Sequence, residues 1–262
     1  MTRIAGVVGR PIGHSLSPLI HGAWIAAAGL DARYEAFEPR DETAFAALTA
    51  RVRSGELAGL NVTAPFKEQA FTAADGASAT ARRCGSANLL IRRDEGLWAD
   101  STDGQGLRTA LSEQAPGLEL TGAPVAVLGA GGAARAAAAA LIEAGAGVTV
   151  VNRSRDRAEA LSADLGVEVG GVEAVEGARL IVNALSVQPE LDMAALRADA
   201  VLMDMSYRPV ITPFLAAGRA RGLTVVDGLA MLIGQARPSF EAFFGVAPPP
   251  VDVRRLALEA VA

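Results

Sequence analysis

Short apolar runs alternate with amphipathic stretches along nearly the whole chain. Residues 4–9 form an apolar run closed by Gly9-Arg10-Pro11, the pattern of a strand running into a loop. Ser17-Pro18 opens a helical stretch through Leu30, with Ser17 as N-cap and Pro18 in the first turn. Residues 34–37 predict a second strand. Residues 42–53 predict a helix, because their spacing sets Phe45, Leu48 and Val52 on one face. Residues 59–63 predict a third strand, closed by Pro65. Residues 89–92 and 97–100 predict two short strands joined by a turn at Asp94-Glu95-Gly96. This alternation of β and α patterns suggests a mostly parallel sheet.

A second β-α register begins near Val125. Residues 125–128 read as a strand, 133–144 as a helix stopped by Gly145-Ala146-Gly147, and 148–151 as the next strand. A helix over 155–165, strands over 180–183 and 201–204, a helix over 213–221 and a strand over 224–226 follow. Ala247-Pro248-Pro249-Pro250 is a stiff spacer ahead of an amphipathic C-terminal helix over 253–261. No solenoid-type repeat is present.

Composition refines this α/β reading. A chain of 262 residues that is 51% hydrophobic is comfortable as two lobes. A net charge of −5 argues against nucleic acid or an anionic membrane as partner. The single cysteine, Cys84, rules out an internal disulfide and fits a reducing compartment. No signal-type h-region opens the chain, and no stretch approaches the roughly 20 apolar residues of a membrane span, so a cytoplasmic protein is expected. Two histidines and one cysteine argue against a transition-metal site. Of 24 cationic residues, 23 are arginine and one, Lys67, is lysine. A lysine ammonium can give up a proton where a guanidinium does not. Lys67 is therefore either a proton-handling group or a residual surface charge.

The motifs add chemistry. Gly129-Ala130-Gly131-Gly132-Ala133-Ala134 has the form G-x-G-x-x-A between a strand and a helix. Small residues there let the backbone approach a pyrophosphate at a helix N-terminus; the alternative is a turn that only packs helix on strand. The next strand ends in Asn152-Arg153-Ser154, with Arg157 one turn on, where an NAD-binding domain usually carries a carboxylate for the ribose 2′-hydroxyl. Two guanidiniums could hold a 2′-phosphate instead, or both could be solvated, with Asp156 close by. Ser15 and Ser17 place two hydroxyls just before a helix, which suits either a carboxylate cradle or simple capping by Ser17. His21 reads as a packing or capping residue. Asn61, Thr63 and Lys67, then Ser86 and Asn88, then Ser101, Thr102 and Asp103 form three polar clusters, each ending an apolar run. Together they suit a polyhydroxylated anion.

The ordered series Gly9-Arg10-Pro11-Ile12-Gly13-His14-Ser15-Leu16-Ser17-Pro18, Asn61-Val62-Thr63-Ala64-Pro65-Phe66-Lys67-Glu68, Thr102-Asp103-Gly104, Gly129 to Arg135, Asn152-Arg153-Ser154 and Asp227-Gly228-Leu229-Ala230-Met231-Leu232-Ile233-Gly234-Gln235-Ala236 resembles the motif series of the shikimate dehydrogenase family nearly end to end. The resemblance implies a two-lobed α/β protein. Residues 1–103, completed by C-terminal helices over 235–262, would be a mostly parallel substrate-binding and catalytic domain, and 104–234 a Rossmann-type NADP-binding domain. It implies NADP-dependent reduction of 3-dehydroshikimate to shikimate in chorismate biosynthesis, by a monomer or homodimer. Lys67 and Asp103 would be the catalytic pair. Ser15, Ser17 and Tyr207 would hold the substrate carboxylate, and Asn61, Thr63, Asn88, Asp103 and Gln235 the ring hydroxyls. Gly129, Gly131, Gly132, Ala133, Asn152, Arg153, Ser154 and Arg157 would bind NADP, with Met205, Gly228 and Met231 near the nicotinamide. The chain departs from the family pattern at Leu89, at Ser101 and after Val187, where Thr, Asn and Gly-Met are usual. Rival expectations are a quinate/shikimate dehydrogenase of the same family and a non-catalytic NADP-sensing protein on the same scaffold.

Overall fold

A computed structural model describes residues 2–94 and 96–261. Chain contacts divide it into two compact units, Met1–Thr102 with Gln235–Ala262, and Asp103–Gly234.

The first unit is built on a six-stranded sheet. Its strands are β1 (Arg3–Val8), β2 (Ala32–Phe37), β3 (Gly59–Val62), β4 (Gly76–Ala77), β5 (Leu89–Arg93) and β6 (Gly96–Asp100), in the order β2-β1-β3-β5-β6-β4. β1 pairs parallel with β2 and β3, and β4 with β6, whereas β5 is antiparallel to both its neighbours. The sheet is thus mixed: its antiparallel part is the hairpin the sequence predicted, whose turn at Glu95 lies outside the described residues.

One face carries α2 (Glu42–Ser54), α3 (Lys67–Ala73) and α4 (Ala79–Cys84). Phe45, Val52, Leu57, Leu60, Val62 and Phe66 bury there in one cluster. α2 has a complete start and stop: Asp41 accepts from the Ala44 N–H at 2.8 Å, and Gly55 closes the helix at φ +82. The other face gathers aromatic residues of α1 (Ser17–Ala27) and of α10 (Gly228–Phe244), a helix that begins in the second unit and ends in the first. Trp24, Phe240 and Phe243 are fully buried. Phe243 lies so close on β3 that a Cβ at Gly59 would stand 2.4 Å from its ring, which explains that glycine. The short C-terminal helix α11 (Val253–Glu259) packs on α1.

The second unit holds β7 (Pro124–Leu128), β8 (Gly147–Val151), β9 (Glu168–Val169), β10 (Leu180–Asn183), β11 (Val201–Asp204) and β12 (Thr224–Val226). Their order is β12-β11-β10-β7-β8-β9 and every pairing is parallel, the doubly wound arrangement of dinucleotide-binding domains. Around it run α5 (Asp103–Gln114), α6 (Gly132–Glu143), α7 (Arg155–Leu165), α8 (Val172–Gly177) and α9 (Pro213–Ala220). The alanines of α6 have a packing reason. A Cβ at Gly104 of α5 would come within 2.8 Å of the Ala140 methyl, so the two helices meet where neither has a larger side chain. The strand order reverses between β7 and β10, and ligands of such sheets bind outside the strand ends at this point.

Candidate active site

In the first unit the predicted polar residues converge because β1 and β3 end side by side. Thr63 donates its N–H to the Val8 carbonyl at 2.9 Å, and Gly9 lies so near that a Cβ there would overlap the Thr63 methyl at 2.3 Å. Lys67 follows as the first residue of α3 and is half-buried; its backbone carbonyl accepts the Ala87 N–H at 2.9 Å, which brings the 86–88 segment alongside.

Asn61, Asn88, Thr102 and Gln235 form one buried cluster. The Asn88 carboxamide oxygen accepts the Thr102 N–H at 2.7 Å, and its Nδ2 donates to the Thr102 hydroxyl at 3.0 Å and to Gln235 Oε1 at 3.2 Å. The Thr102 hydroxyl also donates to the Gln235 carbonyl at 3.1 Å. Asn61 Nδ2 reaches the Asn88 carbonyl at 3.2 Å. Four polar residues far apart in sequence thereby become one cluster. Asp103 comes directly after Thr102, is buried, and opens α5 in the second unit.

Ser15 and Ser17 correct one sequence expectation. Ser17 is not the N-cap of α1: that position belongs to Leu16, whose side chain cannot cap, and the helix ends at Ala27 instead of running to Leu30. Ser15 Oγ instead accepts the Ser17 N–H at 3.2 Å. Ser17 is buried, with its hydroxyl near enough to the Tyr34 phenol to favour the charged form of that phenol. Tyr34 in turn donates to Asn61 Oδ1 at 2.8 Å. Burial raises the Tyr34 phenol well above its ordinary pKa, and the Ser17 hydroxyl offsets this only in part, so Tyr34 remains a donor. His21 is a packing residue: fully buried, it stacks on Tyr34 with ring centroids 4.0 Å apart, and burial lowers its pKa to about 3.

In the second unit the switch point carries the glycine motif. Gly129, at φ +114, ends β7 in a conformation that disfavours any side chain, and a Cβ there would meet the Ala184 carbonyl at 3.3 Å. Gly131 is the N-cap of α6, Gly132 and Ala133 form its first turn, and no side chain caps it. The free N–H groups at the start of a helix in this place fit a pyrophosphate. At the end of β8, Asn152 Nδ2 donates to the Ser154 carbonyl at 2.8 Å, and Ser154 is the N-cap of α7 without using its hydroxyl. Arg153 and Arg157 are exposed and make no ion pair among the described residues, whereas Arg155 is taken by Glu159 at 2.7 Å. Unpaired guanidiniums and a free hydroxyl, with no carboxylate at the strand end, fit a 2′-phosphate.

After β11, Asp204 is fully buried; it accepts the Ser206 N–H at 2.9 Å and the Thr212 hydroxyl at 2.7 Å, so it folds the 205–212 loop over itself. Met205 and Tyr207 lie half-buried in that loop. Gly228 backs it so closely that a Cβ would meet the Ser206 and Met205 carbonyls at 2.5 and 2.6 Å. Met231 is buried one turn further on. Tyr34, Asp204, Thr212 and Ser239 were not singled out in the sequence. Their only signal there is a polar residue inside an apolar stretch, as Ser239 is between Pro238 and Phe240. No cluster of three or more metal-ligating side chains exists among the described residues, and no described helix is long and apolar enough to cross a membrane.

Comparison with known proteins bears on both units. Residues 7–90 match a family model described as the shikimate dehydrogenase substrate binding domain, and residues 110–186 one described as shikimate / quinate 5-dehydrogenase. The chain is 49% identical over 271 residues to the shikimate dehydrogenase (NADP(+)) of Caulobacter vibrioides (strain NA1000 / CB15N), covering 98% of this chain and 95% of that relative. Among solved structures it is similar to shikimate 5-dehydrogenase from Thermus thermophilus in complex with NADP(H) and shikimate, with a TM-score of 0.90, 36% identity and 100% of both chains covered. It is also similar to quinate dehydrogenase from Corynebacterium glutamicum in complex with NAD, with a TM-score of 0.84, 28% identity and 97% of each chain covered.

Proposed function

The chain belongs to the shikimate dehydrogenase family, and from that membership we propose that it catalyses the reversible NADP-dependent reduction of 3-dehydroshikimate to shikimate in aromatic amino acid biosynthesis. The observation that carries the reading is the bonded cluster of Asn61, Asn88, Thr102 and Gln235 beside Lys67, a set of polar groups shaped for a hydroxylated ring.

Gly129, Gly131, Gly132 and Ala133 would hold the NADP pyrophosphate, and Asn152, Arg153, Ser154 and Arg157 its 2′-phosphate. Met205, Gly228 and Met231 would lie by the nicotinamide ring. NADPH, when bound, supplies the hydride. Lys67 stabilises the negative charge that grows on the ketone oxygen and delivers the proton that makes it a hydroxyl, two tasks that one ammonium performs. Asp103 would accept from a substrate hydroxyl. Ser15 and Ser17 would hold the carboxylate. Thr63, Asn61, Asn88 and Gln235 take the remaining hydroxyls.

Biosynthetic use of NADPH and the lone, buried Cys84 support a cytoplasmic location. The test is the change in NADPH absorbance with shikimate and quinate, each supplied with NADP and with NAD. The expected result is turnover of shikimate with NADP. Turnover of quinate alone would assign the chain to the quinate branch, and no turnover with any pair would overturn the enzyme reading.

A further inference from the structure

Asn61 has all its donors committed. Its Nδ2 donates to the Asn88 carbonyl at 3.2 Å and to Ser239 Oγ at 2.8 Å. Because a carbonyl can only accept, the atom facing Asn88 must be the nitrogen, and this fixes which way the carboxamide points. Oδ1 then faces Tyr34 and accepts its hydroxyl at 2.8 Å. Ser239 is fully buried on α10, and its own proton goes to the Gln235 carbonyl one turn back at 3.2 Å, so its lone pairs remain for Asn61. The result is a chain of hydrogen bonds with every donor pointing the same way: Tyr34 to Asn61, Asn61 to Ser239, Ser239 to the Gln235 carbonyl. Bonds aligned head to tail polarise and strengthen one another.

We propose that Ser239 is a positioning residue for Asn61, and that it turns Asn61 into a group that only accepts from the substrate. With both N–H groups occupied and one Oδ1 lone pair left, Asn61 reads a ring hydroxyl as a proton donor. It has nothing to offer a ring ketone, which leaves polarisation of the reacting carbonyl to Lys67. The inference rests on the reading of Asn61 as a substrate-facing residue. Ser239 itself has no exposed surface with which to touch substrate.

The experiment is a double-mutant cycle on the full-length protein, read as KM for shikimate, KM for NADP and kcat. In Ser239→Ala the Asn61 amide loses an acceptor and can turn. An unmatched buried donor typically costs enough for a rise of about 5- to 100-fold in KM for shikimate, with KM for NADP unchanged. In an Asn61→Ala background the same change should move KM for shikimate by less than about twofold, since Ser239 would have nothing left to position. Ser239→Cys, with a weak sulfur acceptor, should fall between wild type and Ser239→Ala, and it serves if Ser239→Ala does not fold. Shikimate analogues with one non-reacting hydroxyl replaced by fluorine supply the second readout. One of them should bind worse to wild type than shikimate does and lose that deficit in Asn61→Ala. An unmoved KM in Ser239→Ala, a fully additive cycle, or no such analogue overturns the proposal. Wild type without shikimate turnover overturns the functional reading, and this one with it.

Discussion

The substrate unit and the dinucleotide unit reach their readiness by different means. In the first, side chains hold one another: Asn88, Thr102 and Gln235 are joined by bonds of 2.7 to 3.2 Å, and Asn61 is tied to Asn88, Tyr34 and Ser239. In the second, backbone shape and unpaired charge take that part. A glycine at φ +114 makes the turn, an uncapped helix start offers N–H groups, and two exposed arginines have no ion-pair partner among the described residues. A ring with hydroxyls must be read in orientation, which calls for side chains fixed beforehand. A phosphate is nearly isotropic and highly charged, so backbone donors and mobile guanidiniums suffice. Losses in the first unit should therefore be steep and cooperative, and losses in the second graded.

The largest expected effect tests the first half of that contrast. Lys67→Arg keeps the charge but presents a planar fork of very high pKa, so kcat should fall by about 10²–10⁴-fold with NADP affinity kept. Near wild-type kcat across the pH range would remove Lys67 as the proton donor. Amine-directed labelling sharpens the test, because Lys67 is the only lysine; bound shikimate should protect it.

Acid should act next, again on the first unit. The His21 pKa lies at about 3 in the folded protein because of burial, against 6.5 ordinarily. A lowered folded pKa means that the unfolded chain takes up the proton first as pH falls, so stability is full above about 6.5 and declines below it. Between pH 7 and pH 5 the loss should be about 2 kcal/mol, measured by chemical denaturation. His21→Phe should flatten that window; an unchanged slope would show that the acid sensitivity arises elsewhere.

Ser17→Ala should raise KM for shikimate by an amount worth about 1–3 kcal/mol, through the lost carboxylate contact, while NADP affinity stays level. An unaltered KM would move the carboxylate away from α1. The smallest effect belongs to the second unit. Arg153→Ala should reduce the preference for NADP over NAD by about tenfold in kcat/KM, mainly through KM for NADP, because on the proposed reading Arg157 would still face the phosphate. Loss of all turnover from this single change would contradict the graded behaviour expected of an electrostatic site.

Much of this was legible in the chain. The helix over 155–165 and the strands over 180–183, 201–204 and 224–226 appear with the boundaries the sequence predicted, the helix because a 3.6-residue period records its buried face and the central strands because burial on both faces leaves a short continuous apolar run. Other elements were not legible. α3, α4 and α8 span only six or seven residues, too short to show a period. α5 opens with Asp103-Gly104-Gln105-Gly106, a sequence that reads as a turn. α10 contains Gly228, Gly234 and Pro238, each of which disfavours a helix on its own. Its continuity comes from what surrounds it: Gly228 against the 205–206 backbone, Gly234 against Gly106, and Phe240 and Phe243 in the aromatic core.

The motifs likewise carried the chemistry of the site but not its wiring. The order of small, polar and basic residues determined by itself that a tight glycine turn follows β7 and that Asn61, Lys67, Asn88 and Asp103 end apolar runs, because backbone shape and strand ends are local matters. Only the tertiary structure decided that Asn61 bonds Ser239, 178 residues away, and that Ser17 is buried inside α1 instead of capping it. A hydrogen bond between distant residues leaves no period in a sequence; it exists only once the sheet and α10 have packed, and burial then obliges each polar group to find a partner.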